Sequence, residues 1–429
     1  MLRFKKTLIL LLALLLLPIA ACKNIGYEAE PTAAPSIPAP YESGMTYHDV
    51  YDPFTDFDNC FGRGYPGFAE SEDAYYYIST VGNYIYYYDK LTSEHGVLCG
   101  RPECLHDKNE INEDCNGCIR ADGIINYYKG QLYYTGYSDY GDSQVRRSLY
   151  RMEPDGTKRE RLFPFTCSIQ YYPGITLIHR GKLYGWTNNS VVESAAPMQN
   201  ANLSCWDIET GEYKLIYDRT DEVSNARLSV FCFGKYVYIC DSYFYPNDLE
   251  RGTTVIILRW DTEKEELESV YRGDGYSGCY FNIWVESENR IFFAPIMEPD
   301  KSGSITVYCL CDSEVSAAVT VEGSYSAFLI DGAFLFFGRG VGLDEQYALI
   351  TDFEGSTLYE GDWDIDVLEA LPGSPDCIGY SAVYGSKDTV YIVYELDYRK
   401  DPRFRQCIVR YDLSDGEIVD SKLLCVSKW

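Results

Sequence analysis

The stretch at residues 125–163, INYYKGQLYYTGYSDYGDSQVRRSLYRMEPDGTKRERLF, decides the fold class. It contains four short runs of apolar and aromatic residues separated by turn signals: INYY, LYYTGY, SLYRM and ERLF. Lys129-Gly130 and Pro154-Asp155-Gly156 are such signals, because Gly tolerates a positive φ and Asp hydrogen-bonds back to the backbone. Four antiparallel strands within about 40 residues have the size of one β-propeller blade.

Similar units recur along most of the remaining chain. They begin near Gly67, Gly123, Tyr172, Leu228, Tyr280, Ser324 and Ile378. No stretch combines a sustained helical period with capping residues, so the sequence predicts an almost all-β protein. We predict a single β-propeller over residues 46–429 with seven four-stranded blades. Six or eight blades stay open at this point, because residues 47–63 could supply an extra strand.

Residues 1–21 are predicted to be a lipoprotein signal peptide. A basic start precedes an apolar run that is short for a membrane span, and the run ends in IAAC at residues 19–22. This ending resembles the lipobox of bacterial lipoproteins, in which the cysteine, here Cys22, receives a diacylglyceryl group and an N-acyl chain such as palmitate. The alternative is a plain signal peptide with an incidental Cys22. Two lipid groups would anchor the protein stably.

Residues 22–45 are rich in Pro, Ala and Ser, a composition that forms extended spacers instead of a packed core. We expect this segment to tether the propeller to the cell membrane on its extracytoplasmic face. No second membrane-spanning stretch is predicted further along the chain.

The link at residues 99–118, CGRPECLHDKNEINEDCNGC, has almost no apolar content. Thiolate and imidazole groups suit tetrahedral zinc, so Cys99, Cys104, His106 and Cys115 are candidate ligands of a structural zinc ion, with Cys118 as the alternative ligand. Cys104 and His106 need a turn between them to face one ion. The rival interpretation is two disulfides with His106 uninvolved, which an exported protein permits. Unmodified thiols are a third alternative. In each case we expect a staple for one inter-blade link and not a catalytic centre.

The same link carries a resemblance to known proteins. Its pattern of Cys99, Pro102, Cys104, His106 and Cys115 resembles the β-propeller lipoproteins of unknown function found in anaerobic Gram-positive bacteria, in which Cys118 would be additional. The strand–turn–strand element around PDG at residues 154–156 is similar to repeats of TolB-type propellers. Both resemblances imply the propeller fold, and neither implies a reaction.

Charge and missing motifs limit the function classes. The formal net charge is −28, from 65 acidic and 37 basic residues, so we expect no nucleic-acid partner. No nucleophile elbow, Walker loop or HExxH motif occurs. A carboxylate pair for glycoside hydrolysis stays open, although no pair is singled out. His95 and His179 are predicted at the surface. The acidic run of residues 49–58 lacks calcium-loop spacing and is predicted to be solvated.

Loop lengths indicate a one-sided molecule. We letter the strands of each blade A to D from the axis outwards. The plain face carries the short A–B and C–D turns, such as Lys129-Gly130. The elaborated face carries the links between blades and the longer B–C connections, which are residues 138–147, 188–202, 242–253, 296–304 and 396–405. Because binding residues usually lie on loops held by a rigid scaffold, we expect this face to bind a ligand.

The sequence therefore predicts a monomeric, membrane-anchored binding or interaction scaffold for a protein or glycan partner. The alternative is a carbohydrate-binding or carbohydrate-active propeller with its site in the central funnel. A sugar-binding platform needs exposed aromatic side chains in loops, and the candidates are Trp186, Tyr243, Tyr245 and Tyr398. The sequence favours a binding role over an enzymatic one without assigning a ligand.

Overall fold

The computed structural model of this chain describes residues 45–61, 67–78, 84–106, 114–119, 125–139, 145–165, 175–191, 198–219, 223–245, 248–297, 303–338, 347–369, 371, 377–397 and 405–426. The predicted signal peptide, Cys22 and nearly all of the tether lie outside these residues. The helical elements are α1 Tyr47–Val50, α2 Asp366–Glu369 and a short 3-10 helix Leu249–Arg251. Within the described ranges, none of the helices has the length and apolarity needed to span a membrane.

Seven blades of four antiparallel strands form a ring, which confirms the predicted seven-bladed, nearly all-β propeller. Blades 1 to 4 consist of β1 Phe68–Glu70, β2 Ala74–Ile78, β3 Ile85–Asp89, β4 His95–Val97; β5 Ile125–Tyr128, β6 Gln131–Asp139, β7 Val145–Met152, β8 Glu160–Pro164; β9 Ile175–His179, β10 Lys182–Val191, β11 Met198–Asp207, β12 Tyr213–Arg219; and β13 Ser224–Phe233, β14 Tyr236–Phe244, β15 Thr253–Asp261, β16 Glu266–Tyr276.

Blades 5 to 7 complete the ring. They consist of β17 Cys279–Ser287, β18 Arg290–Met297, β19 Ser304–Cys311, β20 Glu314–Glu322; β21 Ser324–Ile330, β22 Ala333–Gly338, β23 Tyr347–Asp352, β24 Thr357–Asp362; and β25 Cys377–Gly385, β26 Thr389–Asp397, β27 Arg405–Ser414, β28 Glu417–Val426. A single backbone pair, Met297 with Ser326, joins blades 5 and 6.

Local turn chemistry fixes the inner hairpins. Lys129 and Gly130 between β5 and β6 have φ values of 48° and 77°, and Arg180 and Gly181 between β9 and β10 have 49° and 75°. Two successive residues with positive φ form the turn whose twist matches that of paired strands. Glycine supplies the second position at no steric cost.

Blades 1 and 7 close the ring by packing, since each is built from its own four consecutive strands. The Phe68 ring lies 5.6 Å from the ring of Tyr75 in blade 1 and 6.0 Å from that of Tyr384 in blade 7. The hydroxyl groups of Tyr75 and Tyr391 are 2.9 Å apart. These side chains belong to one buried cluster shared by the two blades. Burial of aromatic surface, worth about 1.5–3 kcal/mol per side chain, therefore replaces strand exchange as the closure.

The B–C connections of the elaborated face are partly continuations of the strands. In blade 3, β10 and β11 stay paired as far as Val191 and Met198, deep into the connection predicted at residues 188–202. In blade 4 the connection includes the 3-10 helix Leu249–Arg251. Residues 140–144, 192–197, 298–302 and 398–404, and with them Tyr398, lie outside the described residues.

The segment at residues 46–61 settles one open alternative and corrects one prediction. Within the described ranges it adds no fifth strand to a blade, and its β-bridge to a blade is the isolated pair of Thr46 with Ser287. Its acidic residues are not all solvated, because Asp56 is buried, with 7% of its surface exposed. Residues 46–61, named here the plug segment, instead run across the plain face.

Candidate metal centre and central channel

The four side chains predicted as metal ligands converge. One ligand atom from each of Cys99, Cys104, His106 and Cys115 lies within 4.8 Å of the others. The Cys115 sulfur is 3.5 Å from Nδ1 of His106. Cys118 is buried but does not belong to this group. Three sulfurs and one imidazole nitrogen thus surround a single position.

The backbone turns that bring these side chains together follow from the sequence. The amide of Cys104 donates to the Arg101 carbonyl at 3.1 Å, closing a turn through Pro102. His106 has a φ of 52°, and Leu105 points outwards with 79% of its surface exposed. This bend is the turn that Cys104 and His106 needed between them. It costs some strain, since few residues other than glycine adopt a positive φ.

The second half of the cluster is clamped to blade 2. The amide of Cys118 donates to the Cys115 carbonyl at 3.2 Å. The Arg159 guanidinium donates to the carbonyls of both cysteines at 2.9 Å. A Cβ on Gly117 would lie 2.3 Å from the Leu98 carbonyl oxygen, so only glycine fits there.

The turn between β7 and β8 forms the other wall of the cluster. The Gly100 amide donates to the Gly156 carbonyl at 3.0 Å, and the Asn116 side-chain amide donates to the same oxygen at 2.8 Å. This turn is a C–D turn, on the plain side of blade 2. The link was expected to staple the elaborated face, but its described part lies along the junction of blades 1 and 2.

The sulfur atoms are poised to share negative charge. Burial alone would raise the pKa of the Cys99 thiol, but hydrogen bonds from the backbone amides of Arg101 and Asn116 lower it overall. Burial, together with the neighbouring Cys99, raises the pKa of Cys115 to about 12. Two thiols this close do not ionise together without a cation between them. A bound metal ion would supply that charge.

The donor set decides which metal fits. Sulfur and imidazole ligands suit zinc, whereas calcium, magnesium and manganese prefer oxygen ligands. The residues present therefore fit a tetrahedral zinc ion. The two-disulfide interpretation needs Cys118 as a fourth partner, and Cys118 lies outside the converging group. None of the described cysteines is in a disulfide.

The plug segment closes the axis of the ring at the plain face. The Tyr47 ring packs against Phe231 of blade 4 and Trp284 of blade 5 at centroid distances of 5.4 Å and 5.8 Å. At the other end, the Cys60 carbonyl accepts the amide of Gly385 in blade 7 at 2.9 Å, and Phe61 packs against blade 1. The segment thus spans the channel from one side to the other.

Side-chain hydrogen bonds hold the middle of the plug segment. The Asn59 side chain donates to the Cys232 carbonyl at 2.7 Å and accepts the Cys232 amide at 3.0 Å, so it pairs with β13 as a strand residue would. The Asp56 carboxylate accepts from Nε of Arg180 at 2.7 Å. Nε2 of His48 lies 3.0 Å from a carboxylate oxygen of Asp331 in blade 6.

His179 was predicted at the surface, and this prediction is wrong: its exposed fraction is 0%. Nδ1 accepts the Phe57 amide at 3.1 Å, and Nε2 donates to the Gly234 carbonyl at 2.8 Å. Burial lowers the pKa of His179 to about 4, since charging the ring inside the protein is unfavourable. The imidazole is therefore neutral and joins blades 3 and 4 to the plug segment. His95, in contrast, is exposed as predicted.

Three of the four aromatic candidates for a sugar-binding platform lie in the described residues, and none of these three is exposed. Trp186 and Tyr243 are each only 1% exposed and belong to the cores of their blades, and Tyr245 is half-buried. The inner strands also carry two half-buried residues that were not predicted as site residues, Arg227 on β13 and Tyr280 on β17. The one sequence signal for Arg227 is a basic residue in a mostly apolar inner strand.

Comparison with known proteins finds similar solved structures at low identity. No protein-family model matches the chain, and neither does any curated protein. Solved structures with similar folds include oligogalacturonate lyase from Vibrio parahaemolyticus, at 12% identity and a TM-score of 0.47, covering 85% of this chain and 93% of that one. An oligogalacturonate lyase in complex with manganese is 11% identical, with a TM-score of 0.46 and coverages of 80% and 86%.

A third similar structure is the β-propeller domain of the trilobed protease from Pyrococcus furiosus, described as having an open velcro topology. It is 12% identical, with a TM-score of 0.40, covering 70% of this chain and 94% of that one. These neighbours are β-propellers of the TolB-like and oligogalacturonate lyase types. At such low identity, their ligands and reactions do not transfer to this chain.

Proposed function

We propose that this chain is a membrane-anchored, extracytoplasmic binding protein that presents the elaborated face of its propeller to a partner. The observation that carries the proposal is the plug segment. It closes the channel at the plain face, and there the chain enters the propeller, at the bridge between Thr46 and Ser287. A tether running from Cys22 through residues 22–45 would therefore attach at the plain face. The elaborated face, with its longer connections, would point away from the membrane.

A second candidate is a carbohydrate-binding or carbohydrate-active site in the central funnel. Arg227 and Tyr280 on the channel wall favour a ligand there. Two carboxylates of the plug segment are already engaged: Asp56 accepts from Arg180, and Asp58 accepts the Cys60 amide at 2.9 Å. Carboxylates that hold the plug segment are poorly placed to act as an acid and base pair. This favours binding over hydrolysis in the funnel.

The membrane proposal is tested by fractionation of cells that express the full chain. Wild-type protein should sediment with membranes, because two lipid groups anchor stably. Cys22→Ser should remain unlipidated and should not be processed at that position. Membrane association of Cys22→Ser equal to that of the wild-type protein would contradict the anchor.

The face is tested with partner capture, using shortening of residues 192–197, which lie in sequence between the last paired residues of β10 and β11, Val191 and Met198. Loop length changes the closure entropy slowly, so the shortened protein should keep its fold and lose the partner. The control variant is Lys129→Ala in a plain-face turn, which should change neither the fold nor the capture of the partner. Arg180 is unsuitable as this control, because it holds the plug segment through Asp56. Loss of the partner in Lys129→Ala would reverse the face assignment.

We further propose zinc as the ion of the cluster of Cys99, Cys104, His106 and Cys115, in a structural role. Four protein ligands leave no open coordination position for chemistry. The cluster joins the end of blade 1 to the β7–β8 turn of blade 2. Zinc would hold this junction as a staple.

Elemental analysis of protein purified without chelator should find about one zinc per chain. Cys115→Ser should lose the zinc and lower the melting temperature, whereas Cys118→Ala should keep the zinc. Cys311→Ser, a half-buried cysteine of blade 5, is the matched control. Absence of zinc combined with an intact mass about four protons below that of the reduced chain would establish disulfides instead.

A further inference from the structure

Arg227 lies on the inner strand of blade 4, beside an irregularity in the pairing of β13 with β14 between Ser224 and Arg227. The side chain is half-buried, and burial lowers the pKa of its guanidinium. A buried charge is normally paired. Within the described ranges, however, no carboxylate acts on Arg227, and the groups that favour its charge are Tyr280, Cys279 and Tyr384. This lack of a carboxylate stands out in a chain with 65 acidic residues.

These neighbours show where the guanidinium points. Cys279 and Tyr280 begin the inner strand of blade 5, whereas Tyr384 ends the inner strand of blade 7. Blades 4 and 7 are not adjacent in the ring, so an Arg227 group that senses Tyr384 must do so across the central channel. The guanidinium carbon lies 5.9 Å from the centre of the Tyr280 ring. Arg227 therefore faces the channel, with Tyr280 beside it.

The backbone around this pair is unusual in both strands. Tyr280 has a φ of 60°, and Gly278 just before it has a φ of 86°. An aromatic residue with positive φ is a genuine outlier. Irregular strand pairing and backbone strain both concentrate at functional sites, where they aim a side chain. Here the irregular pairing beside Arg227 and the strained backbone at Tyr280 lie on two adjacent blades, next to the same part of the channel wall.

Within the residues that the structure describes, the plain-face end of the channel is closed. The plug segment occupies the plain-face end, anchored by Asn59 on β13 and by the Cys60 carbonyl on Gly385. Arg227 lies near the start of its strand, and inner strands start at the elaborated face. A ligand would therefore reach Arg227 from the elaborated face.

We propose that Arg227, together with Tyr280, binds the carboxylate of a small monoanionic ligand in the mouth of the channel. The planar guanidinium matches a carboxylate with two parallel hydrogen bonds, and the tyrosine adds a ring surface and a hydroxyl group. The ligand carries one charge because a single guanidinium supplies one positive charge. No other basic side chain of the described ranges acts on this position. The net charge of −28 further disfavours polyanions.

This inference rests on the proposed function only for the entrance from the elaborated face. Its test is calorimetric titration of the full chain in detergent with D-glucuronate and acetate, with glucose as the neutral counterpart of glucuronate and inorganic phosphate as a second oxyanion. Saturable binding of at least one carboxylate and no binding of glucose are expected. Binding of neither carboxylate, or phosphate bound more tightly than both, would overturn the proposal.

Variants separate a binding role from a structural one. Arg227→Gln should weaken carboxylate binding at least about tenfold, and Arg227→Lys should restore part of it. Arg272→Gln removes the same charge from the exposed outer strand of the same blade and should bind as wild type does. Without ligand, Arg227→Gln should melt at the wild-type temperature or above. The substitution removes a half-buried positive charge that has no carboxylate partner among the described residues, so the folded state should not lose stability.

A clear fall in melting temperature for Arg227→Gln, with carboxylate binding unchanged, would assign Arg227 a structural role and overturn the site. Membrane fractionation is independent of this readout. If the protein binds carboxylates but does not associate with membranes, the binding site is supported and only the lipid anchor is contradicted.

Discussion

At the scale of single residues, His179 shows how one buried side chain connects distant parts of the chain. It accepts the amide of Phe57, 122 residues away in sequence, and donates to Gly234. Both hydrogen bonds need the neutral imidazole with its proton on Nε2. Protonation would place a second hydrogen against the Phe57 amide and a charge in a site with no exposure. The folded protein therefore binds this proton more weakly than the unfolded chain does.

The pKa of His179 predicts how stability depends on pH. Its folded value of about 4 lies below the ordinary value of 6.5, so between these values the unfolded state binds more protons. The stabilisation is present above pH 6.5 and is lost as the pH falls towards 4. Between pH 7 and pH 5, His179 should account for a loss of about 2 kcal/mol in the free energy of unfolding. Urea titrations should show this loss in wild type and a smaller one in His179→Gln. Equal losses in both proteins would contradict the prediction.

The burial of His179 could not be predicted from its neighbours in sequence. A residue at the end of a strand, beside an Arg-Gly turn, is usually exposed. It is covered here by residues more than a hundred positions earlier, which have no strand or helix pattern of their own. The candidate metal-binding cluster at residues 99–118 was easier to predict, because several cysteines and a histidine in one short link indicate a metal site or disulfides from the sequence alone. What the sequence left undecided there was which four of five donors converge, and this depends on a bend at His106.

At the scale of elements, the plug segment behaves as an integral part of the propeller. Tyr47 and Phe61 are buried near its two ends, with exposed fractions of 4% and 8%. Between them, Asn59 pairs with β13 and Asp56 with Arg180. Removing the segment would expose aromatic surface of several blades as well as its own. The globular part of the chain therefore includes residues 46–61, ahead of the first strand.

Truncation and substitution give the element-scale prediction. A chain that begins at residue 45 should unfold at the same urea concentration as the full chain. Tyr47→Ala should lower the free energy of unfolding by about 3–5 kcal/mol, as expected for a buried aromatic side chain. Phe54→Ala in the same segment is the matched control, since Phe54 is 75% exposed and should change the value by less than about 0.5 kcal/mol. A Tyr47→Ala protein as stable as the Phe54→Ala protein would show that the segment is only loosely attached.

The elements themselves were well predicted where their signals are local. Alternating apolar residues and Gly-containing turns placed the blade starts close to those observed; the seventh, for example, was expected near Ile378, and β25 begins at Cys377. The role of residues 46–61 could not be predicted in this way. A segment that pairs through side chains and single backbone contacts has no period. Its acidic residues, considered alone, predict that the segment is exposed to solvent.

At the scale of the whole molecule, the ring has two unlike faces and an entry point on one of them. The plain face holds the plug segment and receives the chain at Thr46, and the elaborated face holds the blade links and the longer connections. A Pro-rich tether rises about 3.1 Å per residue where it is extended. Such a tether limits the distance of Thr46 from the membrane but does not restrain the opposite face. An anchored propeller should therefore spend most of its time with the plain face nearer the lipid.

Energy transfer to the membrane can measure this orientation. A click-reactive non-canonical residue replaces either Lys129, exposed in a plain-face turn, or Glu250, exposed in the 3-10 helix of the elaborated face. Each variant is labelled with the same fluorophore and reconstituted into vesicles that carry an acceptor dye on their headgroups. Transfer should be stronger from position 129 than from position 250, since the proposed tether would hold the plain face near the bilayer. The Cys22→Ser versions of both proteins should show transfer at neither position, which separates tethering from adsorption of the propeller. Equal transfer from the two positions would mean that the tether leaves the propeller free to tumble, and stronger transfer from position 250 would place the elaborated face against the membrane.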